Sequence, residues 1–213
     1  MALLLDSAIL PQAQTALQWG WVKGITTNPT ILAQSDLSPI VTLEKLAALQ
    51  PGELYYQLTT SDFESMVAEG RKAREIIGAE TVLKVPATLV GFQVVSHLAA
   101  EISCAVTAIY HGSQAAIAAE AGAKYAIAYV NRATRFLGDG YQLVREMSQV
   151  LQGSSTKILA ASIKSPDEAA GALLAGAHHL TLPFTMLQAI ATHELSEQTV
   201  AEFAAKGCGI WGS

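Results

Sequence analysis

One lysine sits where a lysine is hard to keep charged. Lys84 lies inside Thr81-Val82-Leu83-Lys84-Val85-Pro86, a run aliphatic enough to read as a buried strand. Lysine is almost never fully buried unless it is paired. Desolvation disfavours the ammonium and lowers its pKa, leaving at neutral pH a free amine able to attack a ketone carbonyl. The other reading is a lysine that snorkels to a rim or pairs with a buried acid such as Asp6. The pattern alone leaves both open.

Other polar side chains end other apolar runs in the same way. They are Asp6, then Thr26 with Asn28, Gln57 with Thr59, Thr107 with Tyr110, Tyr129 with Asn131 and Arg132, and Ser162 with Lys164. Asp6 reads as a general acid/base or as a turn former at a strand end. Arg132 is able to hold a phosphate through its bidentate fork, or to sit solvated in a loop. Tyr129 is the fifth residue of an apolar run and by default fills core with one satisfied hydroxyl. His178 and His179 are adjacent and would point to opposite faces of a strand, with no third ligand at a useful spacing, so no metal is expected.

These residues need elements that bring them together. Short β-branched or aliphatic runs alternate with longer helical stretches, with starts spaced roughly 20 to 30 residues apart, the size of a βα unit. Eight strands are expected: Leu3 to Asp6, Val22 to Thr26, Leu54 to Leu58, Thr81 to Val85, Ser103 to Ile109, Tyr125 to Val130, Lys157 to Ser162 and His179 to Leu182. Between them, Phe63, Met66, Val67, Ala73 and Ile77 fall at helical spacing, opened by Ser61 as a cap. Ser165-Pro166-Asp167-Glu168 marks the start of another helix and Gly176 its stop. Alternation of this kind builds either a closed barrel or an open doubly wound sheet. The count of eight and the lack of a G-x-G-x-x-G turn after the first strand favour a (β/α)8 TIM barrel of the α/β class. One domain is expected over residues 1–213, with a C-terminal helical tail. In such a barrel the polar strand ends share one rim, the C-terminal face.

Composition narrows the partners. Of 213 residues 51% are hydrophobic and 15% charged, which suits a large buried surface and a subunit that hides more in an oligomer. Thirteen basic against eighteen acidic residues give a net charge of -5 without a Lys/Arg cluster, a poor match to nucleic acid. Two cysteines far apart, Cys104 and Cys208, argue against a disulfide framework and for a reducing compartment. Met1-Ala2-Leu3-Leu4-Leu5 meets Asp6 at once, unlike a signal peptide. No run approaches the ~18 apolar residues a membrane helix needs, so a cytoplasmic protein without a membrane partner is expected.

At Gly24-Ile25-Thr26-Thr27-Asn28-Pro29-Thr30, together with Lys84-Val85-Pro86, the chain resembles the small transaldolase and fructose-6-phosphate aldolase family. The match runs through Leu5-Asp6, Tyr56-Gln57, Thr107 to Tyr110, Tyr129 to Arg132, Leu159 to Lys164 and Thr181-Leu182-Pro183. The resemblance implies a cofactor-free enzyme of carbohydrate metabolism in which Lys84 forms a Schiff base with a sugar phosphate. Asp6 then matches the acid that assists proton transfer, Asn28, beside Thr26, the residue that binds a dihydroxyacetone unit, and Arg132 with Ser162 the phosphate grip. The family's aldolases carry Gln and Tyr where its transaldolases carry Glu and Phe. Gln57 and Tyr129 are the aldolase pair, and with Thr107 they would hold the water that releases dihydroxyacetone. The resemblance thus implies reversible cleavage of fructose 6-phosphate, with transfer of the three-carbon unit to erythrose 4-phosphate as the alternative. It also implies a homo-oligomer, pentamer or decamer, through a C-terminal helix packed on a neighbouring subunit. The chain departs from the family at Ser7, at Ala133-Thr134 and in a short segment after Phe203.

Overall fold

The computed structural model describes residues 1–210. Eight parallel strands close in sequence order: β1 Leu3–Asp6, β2 Val22–Thr26, β3 Glu53–Gln57, β4 Thr81–Pro86, β5 Ser103–Ile109, β6 Tyr125–Tyr129, β7 Lys157–Ala161 and β8 His179–Leu182. The helices are α1 Leu10–Gln18, α2 Pro29–Leu32, α3 Pro39–Ala48, α4 Phe63–Ile77, α5 Leu89–Leu98 and α6 Gly112–Glu120. They continue as α7 Val130–Leu137, α8 Gly140–Val150, α9 Pro166–Leu174, α10 Phe184–Ile190 and α11 Glu194–Lys206. This is a single (β/α)8 TIM barrel, as the alternation and the count of strands had indicated.

Successive strand side chains point to opposite faces, so each strand feeds two cores. Leu5, Ile25, Leu83, Val85, Val106 and Ala128 face the helices in the outer cluster. Leu4, Tyr55, Val82, Ala105, Ile127 and Leu159 fill the barrel interior. At β2 the interior position is Gly24, where a Cβ would lie 2.8 Å from Glu53 O and 2.9 Å from Leu4 Cδ2. The N-terminal end is closed by Glu53, whose carboxylate accepts from Tyr55 Oη at 2.8 Å, Tyr125 Oη at 3.0 Å and Lys124 Nζ at 2.6 Å.

Element ends differ from the sequence reading by a residue, each for a local reason. β6 runs straight into α7, so Val130 is helical rather than extended. β7 stops at Ala161 because Ser162 takes φ +60, outside the strand region. β3 covers Glu53–Gln57, although Leu58 N still donates to Lys84 O at 3.0 Å, and β4 reaches Pro86. Asp62, not Ser61, caps α4, its Oδ1 accepting from Ser65 N at 2.9 Å. Ser165 caps α9 as expected, and Gly176, at φ +111, follows its end.

Candidate active site

The interior core and the rim are one periodic series. Two residues beyond Leu4 on the same face comes Asp6; beyond Tyr55, Gln57; beyond Val82, Lys84; beyond Ala105, Thr107; beyond Ile127, Tyr129. All five are at or near the C-terminal ends of their strands, with Asp6 paired to Thr26 and Gln57 to Lys84 across neighbouring strands. They surround a cavity of about 410 Å³ at the C-terminal face. Asp6, Thr26, Asn28, Gln57, Lys84, Tyr129, Arg132 and Ser162 all line it.

Lys84 is 4% exposed, and its Nζ donates to Thr27 O at 2.8 Å. A backbone carbonyl carries no charge to hold an ammonium, and burial pushes the amine below the usual lysine range, with the Asp6 charge pulling it partly back. Burial likewise raises Asp6 above the usual carboxylate range, opposed by Lys84, by the Thr26 hydrogen bond and by Lys164. Both shifts favour a neutral amine beside a carboxyl group ready to exchange a proton.

Asp6 is oriented by a chain of buried hydroxyls. Thr26 Oγ1 donates to Asp6 Oδ1 at 2.6 Å and lies 2.6 Å from Thr181 Oγ1. A hydroxyl has one proton, so with Asp6 ionised Thr26 gives its proton to the carboxylate and Thr181 donates to Thr26. Thr181 lines the cavity, as does Lys164. The sequence reading places Lys164 among the polar strand ends without giving it a role and passes over Thr181 as a site residue; counting by twos from His179, whose ring meets the interior Tyr125, would have found Thr181.

Tyr129 Oη and Thr107 Oγ1 are 2.6 Å apart. Thr107 is buried behind the tyrosine instead of lining the cavity, and supports it from the neighbouring strand. The backbone turns there: Ala108 has φ +60, and the β5–β6 register shifts between Val106 and Ile109. A bulge of this kind re-aims side chains at a barrel rim. Burial raises the Tyr129 phenol above its ordinary value against the pull of Thr107 and Arg132, so it stays protonated. The Arg132 guanidinium stands 5.2 Å above the Tyr129 ring.

Asn28 lines the cavity and caps a helix. Its Oδ1 caps α2 by accepting from Ile31 N at 3.0 Å, which leaves Nδ2 to donate toward the cavity. His178 and His179 lie elsewhere, their Nδ1 atoms accepting from Ile158 N at 3.1 Å and Ala2 N at 2.9 Å.

A family model described as transaldolase/fructose-6-phosphate aldolase matches residues 3–208. The chain belongs to this family. Its relatives include a probable transaldolase of Roseiflexus castenholzii, 36% identical over 209 residues and covering 96% of each chain. Another, from a Hydrogenobaculum species, is 34% identical over 206 residues, covering 95% of this chain and 94% of that one. Among solved structures, a mandelate oxidase with (S)-2-phenylpropionate superposes with a TM-score of 0.64 at 16% identity, covering 95% of this chain and 70% of that chain. At that identity the likeness speaks of the barrel alone. The family assignment bears out the resemblance carried by the Thr26–Asn28 and Lys84–Pro86 motifs, and the family's sugar-phosphate chemistry fits a polar cavity with cations at its edge.

Proposed function

We propose that the protein is a class I aldolase that reversibly cleaves fructose 6-phosphate to dihydroxyacetone and glyceraldehyde 3-phosphate. The observation that carries the reading is Lys84: a buried amine at the floor of the cavity, held by a carbonyl, beside an acid whose pKa burial has raised. The amine adds to the C2 ketone and water leaves, forming an iminium. Asp6 as carboxylate takes the C4 hydroxyl proton while the C3–C4 bond breaks. Its electron pair moves into an enamine and the aldehyde departs. The proton taken by Asp6 passes through a water oriented by Tyr129 to the enamine carbon, restoring the carboxylate, and a second water hydrolyses the iminium to return the free amine. The iminium is itself the electron sink, so the reading calls for no cofactor. Arg132 and Ser162 are assigned to the phosphate, and Asn28 Nδ2 to a hydroxyl of the three-carbon unit.

Transfer to a second aldehyde is the competing reading, favoured by the name that the relatives carry. Cleavage is supported by the Tyr129–Thr107 pair beside Gln57, a donor set suited to the water that ends the cycle. We further infer a homo-oligomer, because α11 has no buried residue and exposes Leu195, Val200 and Phe203. Free Cys104 and Cys208 support a reducing compartment such as the cytoplasm. Among the described residues no helix is long and apolar enough to cross a membrane.

Borohydride reduction with fructose 6-phosphate or dihydroxyacetone, followed by peptide mass spectrometry, tests the mechanism. A three-carbon adduct on Lys84 is expected, and its absence from folded protein with either ligand overturns the reading. Coupled assays for free dihydroxyacetone and for sedoheptulose 7-phosphate separate cleavage from transfer.

A further inference from the structure

The two residues assigned to phosphate come from different βα units: Arg132 stands in the first turn of α7, and Ser162 follows β7. The seam between those units is bridged by hydrogen bonds that involve neither side chain. Asn131 N donates to Ser162 O at 3.1 Å. Asn131 Nδ2 donates to Glu168 Oε1 at 2.7 Å, and Lys164 N donates to Glu168 Oε2 at 2.6 Å. Glu168 is itself fixed in the first turn of α9, its N–H donating to the cap Ser165 Oγ at 3.0 Å.

In a capping box the acid at this helix position reaches back to the cap residue's own N–H. Glu168 instead reaches one residue further, to Lys164, and spends its second oxygen on the neighbouring unit. Between these bonds lies Ser162, whose φ of +60 is a conformation that a non-glycine residue keeps only when its surroundings hold it. Neither Asn131 nor Glu168 lines the cavity.

We propose that Glu168 is a positioning residue for the phosphate end of the site: it clamps the first turn of α7 to the loop after β7, and so fixes Ser162 relative to Arg132. The clamp rests on the reading of Arg132 and Ser162 as the phosphate grip. It makes no direct contact with Lys84 on β4, Asp6 on β1 or Asn28 after β2, and reaches Asp6 only through the charge of Lys164.

The test is the aldol addition of dihydroxyacetone to glyceraldehyde 3-phosphate and to unphosphorylated glyceraldehyde, with kcat and KM measured for each. Glu168→Ala is expected to raise KM for the phosphorylated aldehyde about tenfold, the factor expected from losing ~1.4 kcal/mol of binding. KM for glyceraldehyde, and borohydride trapping of dihydroxyacetone at Lys84, should stay within about twofold of the parent. Glu168→Gln restores the parent values, since its Oε1 accepts from Lys164 N–H and its Nε2 donates to Asn131 Oδ1 once that amide turns over. Asn131→Ala, which opens the seam but leaves Glu168 on Lys164, gives the same split with a smaller rise and stands in if Glu168→Ala does not fold. A rise common to both aldehydes makes Glu168 merely structural and overturns the clamp. Arg132→Gln runs in parallel. If it separates the two aldehydes and Glu168→Ala does not, the clamp alone is wrong; if neither separates them, the phosphate grip fails and the clamp with it.

Discussion

Lys84 and Asp6 each oppose what burial does to the other. The carboxylate raises the lysine's pKa and the ammonium lowers the acid's, yet in both cases desolvation is the larger effect. In the proposed mechanism the neutral amine attacks, so adduct formation should rise with pH through the lowered Lys84 pKa. Removing the Asp6 charge removes the influence that holds that pKa up. Asp6→Asn should therefore move the acid limb of the borohydride-trapping profile to lower pH while slowing cleavage by about 10² or more. A limb displaced to higher pH would contradict the assignment. Lys84→Met should lower turnover by at least about 10³-fold and abolish the adduct, with the circular dichroism spectrum unchanged. Tyr129→Phe keeps the ring under Arg132 but deletes the hydroxyl on Thr107. Release of free dihydroxyacetone should fall about 100-fold, and transfer to erythrose 4-phosphate should increase. Unchanged release without added transfer would remove the reason for preferring the aldolase branch. Asn28 caps α2 with its oxygen alone, which leaves its Nδ2 for the proposed contact with the three-carbon unit.

The strands do the positioning; the readable signal was the polar residue that ends each apolar run, and the period of two sets which face it takes. Asp6, Gln57, Lys84, Thr107 and Tyr129 each follow an interior core residue on the same face, so packing the barrel aims them. What the period could not show is where the backbone leaves it. Ala108 and Ser162 both take φ +60 with no glycine to announce it, the first within the β5 bulge and the second just past β7. Such left-handed turns cost an alanine or serine about 1 kcal/mol each and are held by their surroundings. Gly24 is the reverse case, a glycine required by close approach inside the barrel. Gly24→Ala would set a methyl against the Glu53 carbonyl and should cost ~1–3 kcal/mol, lowering the calorimetric midpoint by about 2–4 °C for each kcal/mol lost. An unchanged midpoint would mean that β2 and β3 part more readily than their pairing suggests.

At the scale of the molecule, the barrel is closed at its N-terminal end by Glu53 with Tyr55, Tyr125 and Lys124, and open at the other. α11 stands apart from this closed unit. Leu195 is 64% exposed, Val200 65% and Phe203 71%, apolar side chains with no cover among the described residues. Light scattering should give a mass at least twice the 22.4 kDa of one chain. Replacing these three residues with serine should reduce it toward one subunit and leave trapping at Lys84 intact. A parent protein that is monomeric at micromolar concentration would refute the oligomer.

The sequence by itself determined the class of fold, the positions of the strands to within a residue at their ends, and most of the rim. Aliphatic runs between helical stretches, and the polar residues that end them, are local properties of a chain, and a lysine inside an aliphatic strand is conspicuous without any structure. Only the tertiary structure decided which carbonyl holds Lys84, that Thr107 stands behind Tyr129, that Thr181 completes the chain to Asp6, and that Glu168 joins two units. Those facts depend on side chains from strands and helices far apart in sequence, which only barrel closure brings within hydrogen-bonding distance.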